Sequence, residues 1–181
     1  MASVSRVYSR LRVARRHDLG TNVARSMRKR GLVPAALQGD RLPNISLTVE
    51  FDELMALARK VHFEMKLLEL DLDGEAIKAL PKYVERTDYH RVQSLFEADV
   101  QSITFRRWPR DPERDPVKIN MPLIPINEDK CPQVKNGGYV HDMFSAHGLP
   151  LLVRSEDFPP FIHLDMSRAD EKARAARLRP L

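Results

Sequence analysis

The stretch from Asn22 to Gly39, NVARSMRKRGLVPAALQG, constrains the fold more than any other part of the chain. Its first half is built from acceptable helix formers, Asn22 is placed to cap the N-terminus, and Gly31 stops the helix as a C-terminal glycine does. Val33 to Leu37 follows at once as an apolar extended segment, so a helix must hand over to a strand across a single glycine. In a helix of about two turns, Val23 and Met27 at i and i+4 face inward. Arg25, Arg28, Lys29 and Arg30 then fan outward.

The charge is unevenly placed. Residues 1–41 carry ten Lys/Arg against Asp18 and Asp40, residues 42–167 carry 15 against 21 acids, and residues 168–181 carry five against Asp170 and Glu171. The formal net charge of +5 therefore comes from the two ends. Arg12, Arg15 and Arg16 extend the excess upstream across a second element, and a cationic patch spread over neighbouring elements suits a polyanion.

With 181 residues, the chain can hold one ordinary domain or two small ones. No apolar run approaches the roughly 18 residues needed to span a bilayer, and no membrane partner is expected. Cys131 is the single cysteine, which excludes an internal disulfide and a cysteine-built zinc site. The first 17 residues contain no acid and are rich in Arg and Ser. They fit either an organellar transit peptide or a short basic arm leading into a strand.

Taken in order, Leu11 to His17 reads as a first strand, followed by a turn at residues 18–21, the basic helix, and the strand Val33 to Leu37. Ile45 to Val49 alternates as a half-buried strand, and Phe51 to Val61 returns to helical period with Leu54, Leu57, Ala58 and Val61 on one face. Glu64 to Leu70 is a further strand. Asp73-Gly74 is a hairpin turn, and Ala76 to Leu80 with Tyr83 to Arg86 forms a return limb broken at Pro81. Residues 87–99 are an insertion, and Val100 to Phe105 resumes strand character. The proline- and charge-rich segment Arg106 to Pro116 cannot supply a core and reads as a linker or edge. Beyond it, Val117 to Ile126, Tyr139 to Met143, Leu149 to Val153 and Phe161 to Met166 are short strands, with a turn at Asn136-Gly137-Gly138. Ser167 caps a final helix, Arg168 to Leu178.

Several strings in this order match one family. The helix followed by Gly31-Leu32-Val33-Pro34-Ala35-Ala36-Leu37-Gln38-Gly39, the Asp73-Gly74 hairpin and Val84-Glu85-Arg86 recur there. So do Val117 to Leu123, Val134 to Gly138, and Pro160 to Ser167. The chain resembles large-subunit ribosomal proteins of the L-twenty-five type, in the two-domain form also called the CTC or general stress protein family. The resemblance covers roughly residues 11–168. It implies a mainly β, α+β protein: a six-stranded β-barrel-like N-terminal domain with two helices, then a β-rich C-terminal domain and a C-terminal helix.

The expected boundaries are a basic arm over 1–10, an RNA-binding barrel over 11–107, a Pro-rich linker over 108–116, a β-rich domain over 117–167 and a basic helical tail over 168–181. The implied function is that of a structural constituent of the large subunit, docked on 5S rRNA at the central protuberance. The alternative is a free RNA-binding stress or interaction protein of the same fold. The RNA-contacting residues would be Arg12, Arg15, Arg16, Asn22, Arg25, Arg28, Lys29, Arg30, Lys82 and Arg86. Expected partners are 5S or other large-subunit rRNA and neighbouring ribosomal proteins, with no small-molecule substrate and no cofactor. The insertion and the N-terminal composition suggest a mitochondrial version, the alternatives being plastid or bacterial cytoplasm. The family's Gly-Lys-Gly turn is Gly20-Thr21-Asn22 here, its Tyr-Gly is Gln38-Gly39, and its His-x-Asp-Phe is Ser102-Ile103-Thr104-Phe105.

Catalytic readings are weak. His141 and His147 with Asp142 lack a ligand framework, and Ser145 near them has no strand-turn-helix elbow. Gly137-Gly138 lacks the Lys-Ser/Thr and helix of a phosphate loop. Glu64, Glu69, Asp71, Asp73 and Glu75 read as a solvated sheet edge, the alternative being a docking face for a basic neighbour; Tyr83 and Trp108 read as aromatics able to stack on a base, or, for Trp108, as a pin for the linker. No enzymatic activity is expected.

Overall fold

Period-two alternation of apolar residues supplies the inward faces of six strands, and closing them on one another leaves no unpaired edge. The computed structural model describes residues 8–87, 99–135, 137 and 148–168. Residues 88–98 of the expected 87–99 insertion, the expected strand over Tyr139 to Met143 and the final helix beyond Arg168 lie outside them. The chain divides into two compact units, residues 1–111 and 112–181.

In the first unit the elements are β1 (Ser9–Arg15), α1 (Thr21–Lys29), β2 (Leu32–Gln38), β3 (Ile45–Glu50), α2 (Phe51–Ala58), β4 (Leu68–Leu72), β5 (Glu75–Arg86) and β6 (Val100–Arg107). The strands close in the order β1-β3-β2-β6-β5-β4, so the mainly β barrel with two helices is the observed fold. Two parallel pairings, β1 with β4 and β2 with β6, complete the ring that antiparallel hairpins alone leave open. Leu11, Val33, Leu37, Leu47, Leu70 and Phe105 fill the interior, and Leu54, Met55 and Ala58 of α2 are buried in the same cluster.

Local details depart from the sequence reading for identifiable reasons. Asn22 does not cap α1. The capping position is Gly20, at φ 115°, with no side-chain cap hydrogen bond, and Asn22 lies exposed inside the first turn. Gly31 does terminate α1. At φ 76° its N–H donates to the Arg28 carbonyl at 3.1 Å, and its own carbonyl accepts the Phe51 N–H at 2.9 Å, tying the end of α1 to the start of α2. The second helix stops at Ala58, which leaves Val61 59% exposed instead of on the inner face. His62 adopts φ 57° and residues Phe63–Met65 form a 3-10 turn, so the following strand begins at Leu68 and not at Glu64.

The 73–74 hairpin has both residues at positive φ, 55° and 90°, as a two-residue turn of this hand requires. Pro81 does not break β5. The register against β6 shifts between Pro81 and Tyr83, and this bulge absorbs the missing N–H. Trp108, expected in the linker, is buried in the first unit and its backbone N–H donates to the Lys78 carbonyl at 2.9 Å.

In the second unit, Pro122 splits the expected long strand into β7 (Val117–Met121) and β8 (Leu123–Ile126). A short helix, α3 (Pro132–Lys135), follows, then β9 (Leu149–Val153) and β10 (Ile162–Asp165). β7 pairs antiparallel with β9, and β8 pairs parallel with β10. Val117, Ile119 and Met121 on β7, with Cys131 and Phe158, are buried there.

Candidate nucleic-acid interface

Helix α1 has the amphipathic division that its sequence spacing demands. Val23, Ala24 and Arg28 are half-buried and Met27 is buried, whereas Asn22, Arg25, Ser26 and Lys29 are exposed at i, i+3, i+4 and i+7. The helix packs on β2. Pro34, which points to the outside of the barrel, is nonetheless buried, as a residue under the helix must be. Arg28 anchors the seat: its Nε donates to the Gln101 carbonyl on β6 at 2.9 Å. Arg30 folds back on the helix, with Nε and a terminal nitrogen 3.4 and 3.3 Å from the Ser26 carbonyl and hydroxyl. Arg25 and Lys29 make no ion pair among the described residues, so both point their charge into solvent from a fixed helix.

The β1 arginines are differently placed. Because β1 lies parallel to β4, with Arg12 opposite Asp71, the outward arginines of one strand meet the outward acids of the other. Arg10 pairs with Asp71 at 3.0 Å and Glu69 at 3.9 Å, and Arg15 lies 3.6 Å from Asp73. Arg12 forms an ion pair and hydrogen bonds with Glu53 of α2. The Arg12 hydrogen bond holds the Glu53 carboxyl below the usual carboxylate range and raises the Arg12 guanidinium in turn. The acids at 69, 71 and 73 are therefore partners of the β1 arginines, with Asp73 still exposed to solvent. Glu69 and Asp71 lie on a strand paired on both sides, Asp73 opens the hairpin after it, and all three face β1 cations.

The remaining candidates divide the same way. Arg16 is half-buried; its N–H donates to the Ser46 carbonyl at 2.9 Å, while its buried Nε finds no acceptor among the described residues. Arg86 donates to the Ala58 carbonyl at 3.2 Å and so completes the C-terminal end of α2. Lys82 is exposed at the β5 bulge, beside Tyr83, which is 65% exposed. Register places Tyr83, Thr104, Ala36 and Ser46 in one row across β5, β6, β2 and β3, on the outer surface beside the seat of α1. α1, Lys82 and Tyr83 thus border one outer surface, whereas Arg12 and Arg15 belong to the β1–β4 ladder.

His141, Asp142, Ser145 and His147 lie outside the described residues. Among the described residues no group of three or more His, Cys, Asp or Glu side chains is arranged to hold a metal ion, and no helix is long and apolar enough to cross a membrane.

The first unit is therefore a closed six-strand barrel with a cationic helix packed on β2 and bonded to β6. Residues 11–94, a little under half of the chain, match the Ribosomal L25p family. Relatives named large ribosomal subunit protein bL25 include one from Chelativorans sp. (strain BNC1), 28% identical over 86% of this chain and 68% of its own length. Others are from Methylocella silvestris, 28% identical over 88% of this chain and 65% of its own, and Mesorhizobium japonicum, 27% over 87% and 68%. The chain spans about two thirds of the length of these relatives. The family is structural and not enzymatic.

Proposed function

We propose that this protein is a structural constituent of the large ribosomal subunit that binds rRNA through the exposed face of α1, with 5S rRNA at the central protuberance as its site. One observation carries the reading. In a chain whose residues 11–94 match the Ribosomal L25p family, Arg25 and Lys29 make no ion pair among the described residues, on a helix whose inner face is locked by Met27 and Arg28. Unpaired cations on a rigid element neutralise phosphates without first breaking a contact, and each phosphate neutralised releases counterions. Lys82 and Tyr83 extend the surface across β5, the aromatic being free to stack on an unpaired base. Arg12, Arg15 and Arg86 reach RNA only by leaving acids or carbonyls, so their share is smaller. The bacterial relatives support the ribosomal part of the reading; the mitochondrial compartment rests on the acid-free N-terminal composition.

Crosslinking of tagged protein in its native cells, with sequencing of bound RNA and sedimentation of large subunits through a moderate-salt wash, tests this. Reads concentrated on 5S rRNA and co-sedimentation are expected. Reads on other large-subunit rRNA would move the binding site, and a protein that washes free of subunits would overturn the ribosomal role.

A further inference from the structure

The turn between β2 and β3 lies outside the surface just described, yet it is held with unusual firmness. Gly39, Asp40 and Arg41 are consecutive residues at positive φ, 105°, 59° and 53°. Residues with a Cβ rarely enter that region, and two in succession require the surroundings to impose it. Arg107 imposes it. Only 7% exposed at the end of β6, it donates from one terminal nitrogen to the carbonyls of both Gly39 and Pro43, each at 3.2 Å. The neighbouring Arg106 lays its side chain against Gly39, where an added Cβ would stand 3.4 Å from the arginine Cγ.

The clamp presents Arg41 exposed, with Leu42, Pro43 and Asn44 exposed after it. None of Arg41, Arg106 and Arg107 is paired with a carboxylate among the described residues, and Asp40 is the one acid in the turn. The Arg107 guanidinium is bonded to neutral carbonyls and stands beside the exposed Arg41, with no carboxylate paired to either among the described residues. The turn is thus a concentrated cationic corner. Arg16, bonded through its N–H to Ser46 near the start of β3, links this corner to the loop that leads into α1.

We propose that the 39–44 turn is a second RNA-phosphate contact, in which Arg41 touches the phosphate and Arg107 is the positioning residue that fixes it. The proposal rests on the rRNA-binding reading above.

The test uses the full chain and two probes, in vitro transcribed 5S rRNA and rRNA extracted from large subunits, with affinity followed against salt. Arg41→Gly suits the positive φ, so this variant should melt no lower than the parent. Its binding should weaken severalfold, and the slope of log K against log salt should fall by about 0.7 to 0.9, the value of one phosphate. Arg107→Met should cost a similar amount, and combining it with Arg41→Gly should add little, because both remove the same contact. Additive losses would overturn the positioning role. Parental affinity and slope in Arg41→Gly, while Arg25→Ala with Lys29→Ala loses both, would overturn the second contact and leave the α1 reading standing. Parental binding in all of these variants would overturn both. Should Arg107→Met fail to fold, Arg41→Gly decides the matter alone.

Discussion

Replacing Arg25 and Lys29 together by alanine removes the two cations of α1 that no group among the described residues holds. Both side chains are exposed and neither anchors the helix, which is fixed by Met27 beneath it and by the Arg28 bond to Gln101. Alanine is a better helix former than either, so the stability of the variant should stay within about 0.5 kcal/mol of the parent. Two lost phosphate contacts should lower the salt slope of rRNA binding by about 1.4 to 1.8. Between 50 and 200 mM salt the parent should then lose roughly tenfold more affinity than the variant. The control is Arg12→Ala with Arg15→Ala, which removes the same formal charge from side chains already facing Glu53 and Asp73. Its slope should change by less. Filter binding across a salt series, with thermal melting of each variant, makes the measurement. Equal slope changes in the two pairs would refute the argument that intramolecular pairing decides which cations reach RNA.

Glu53→Gln should destabilise the barrel at neutral pH, and the difference should close in acid. The Arg12 hydrogen bond depresses the folded carboxyl, so its contribution is present above the unfolded value of about 4.3 and is lost as pH falls through the lower folded value; urea melts of both proteins from neutral pH to about pH 3 check the sign. Gly148→Ala should cost the second unit about 1–3 kcal/mol, since φ is 67° and a Cβ would stand 2.9 Å from backbone atoms of Asn120 and Met121. Gly74→Ala, with φ 90° but open space around it, should cost less in the same thermal-unfolding comparison. Leu54→Ala should destabilise by about 2–5 kcal/mol, because this fully buried helix residue lies in the barrel core, and chemical denaturation reads the loss.

How far these features were legible in the sequence depends on the range over which each is decided. The Gly31 junction, the Asp73-Gly74 turn and the alternation in β3 are settled within a few residues, and all three stand as read. The cap of α1 was misread because Asn22 and Gly20 are both competent capping residues; Gly20, with φ 115°, serves, and the helix begins two residues earlier. Pro81 illustrates the opposite limit. A proline in a strand signals an end or a bulge, and only the β6 register, set by residues more than 20 positions away, selects the bulge.

The candidate site was legible in kind but not in detail. Ten arginines and lysines in the first 41 residues announce a polyanion surface, yet which of them remain available depends on a pairing that no local pattern encodes. Parallel alignment of β1 with β4 joins segments more than 55 residues apart and sets Arg10 and Arg12 level with Glu69 and Asp71. Closing the barrel therefore does two things at once: it removes the sheet's edges, and it neutralises one cationic strand with acids that looked like a solvated rim. The helix keeps its charge because its neighbours, β2 and β6, turn Pro34, Ala36, Ser102 and Thr104 toward the outside and offer no acid there. Glu85 on β5 is the nearest acid in register, and its carboxylate accepts the Ser102 hydroxyl at 2.7 Å. The division between a structural cationic strand and a cationic helix left open to a partner follows from which strands the barrel makes neighbours.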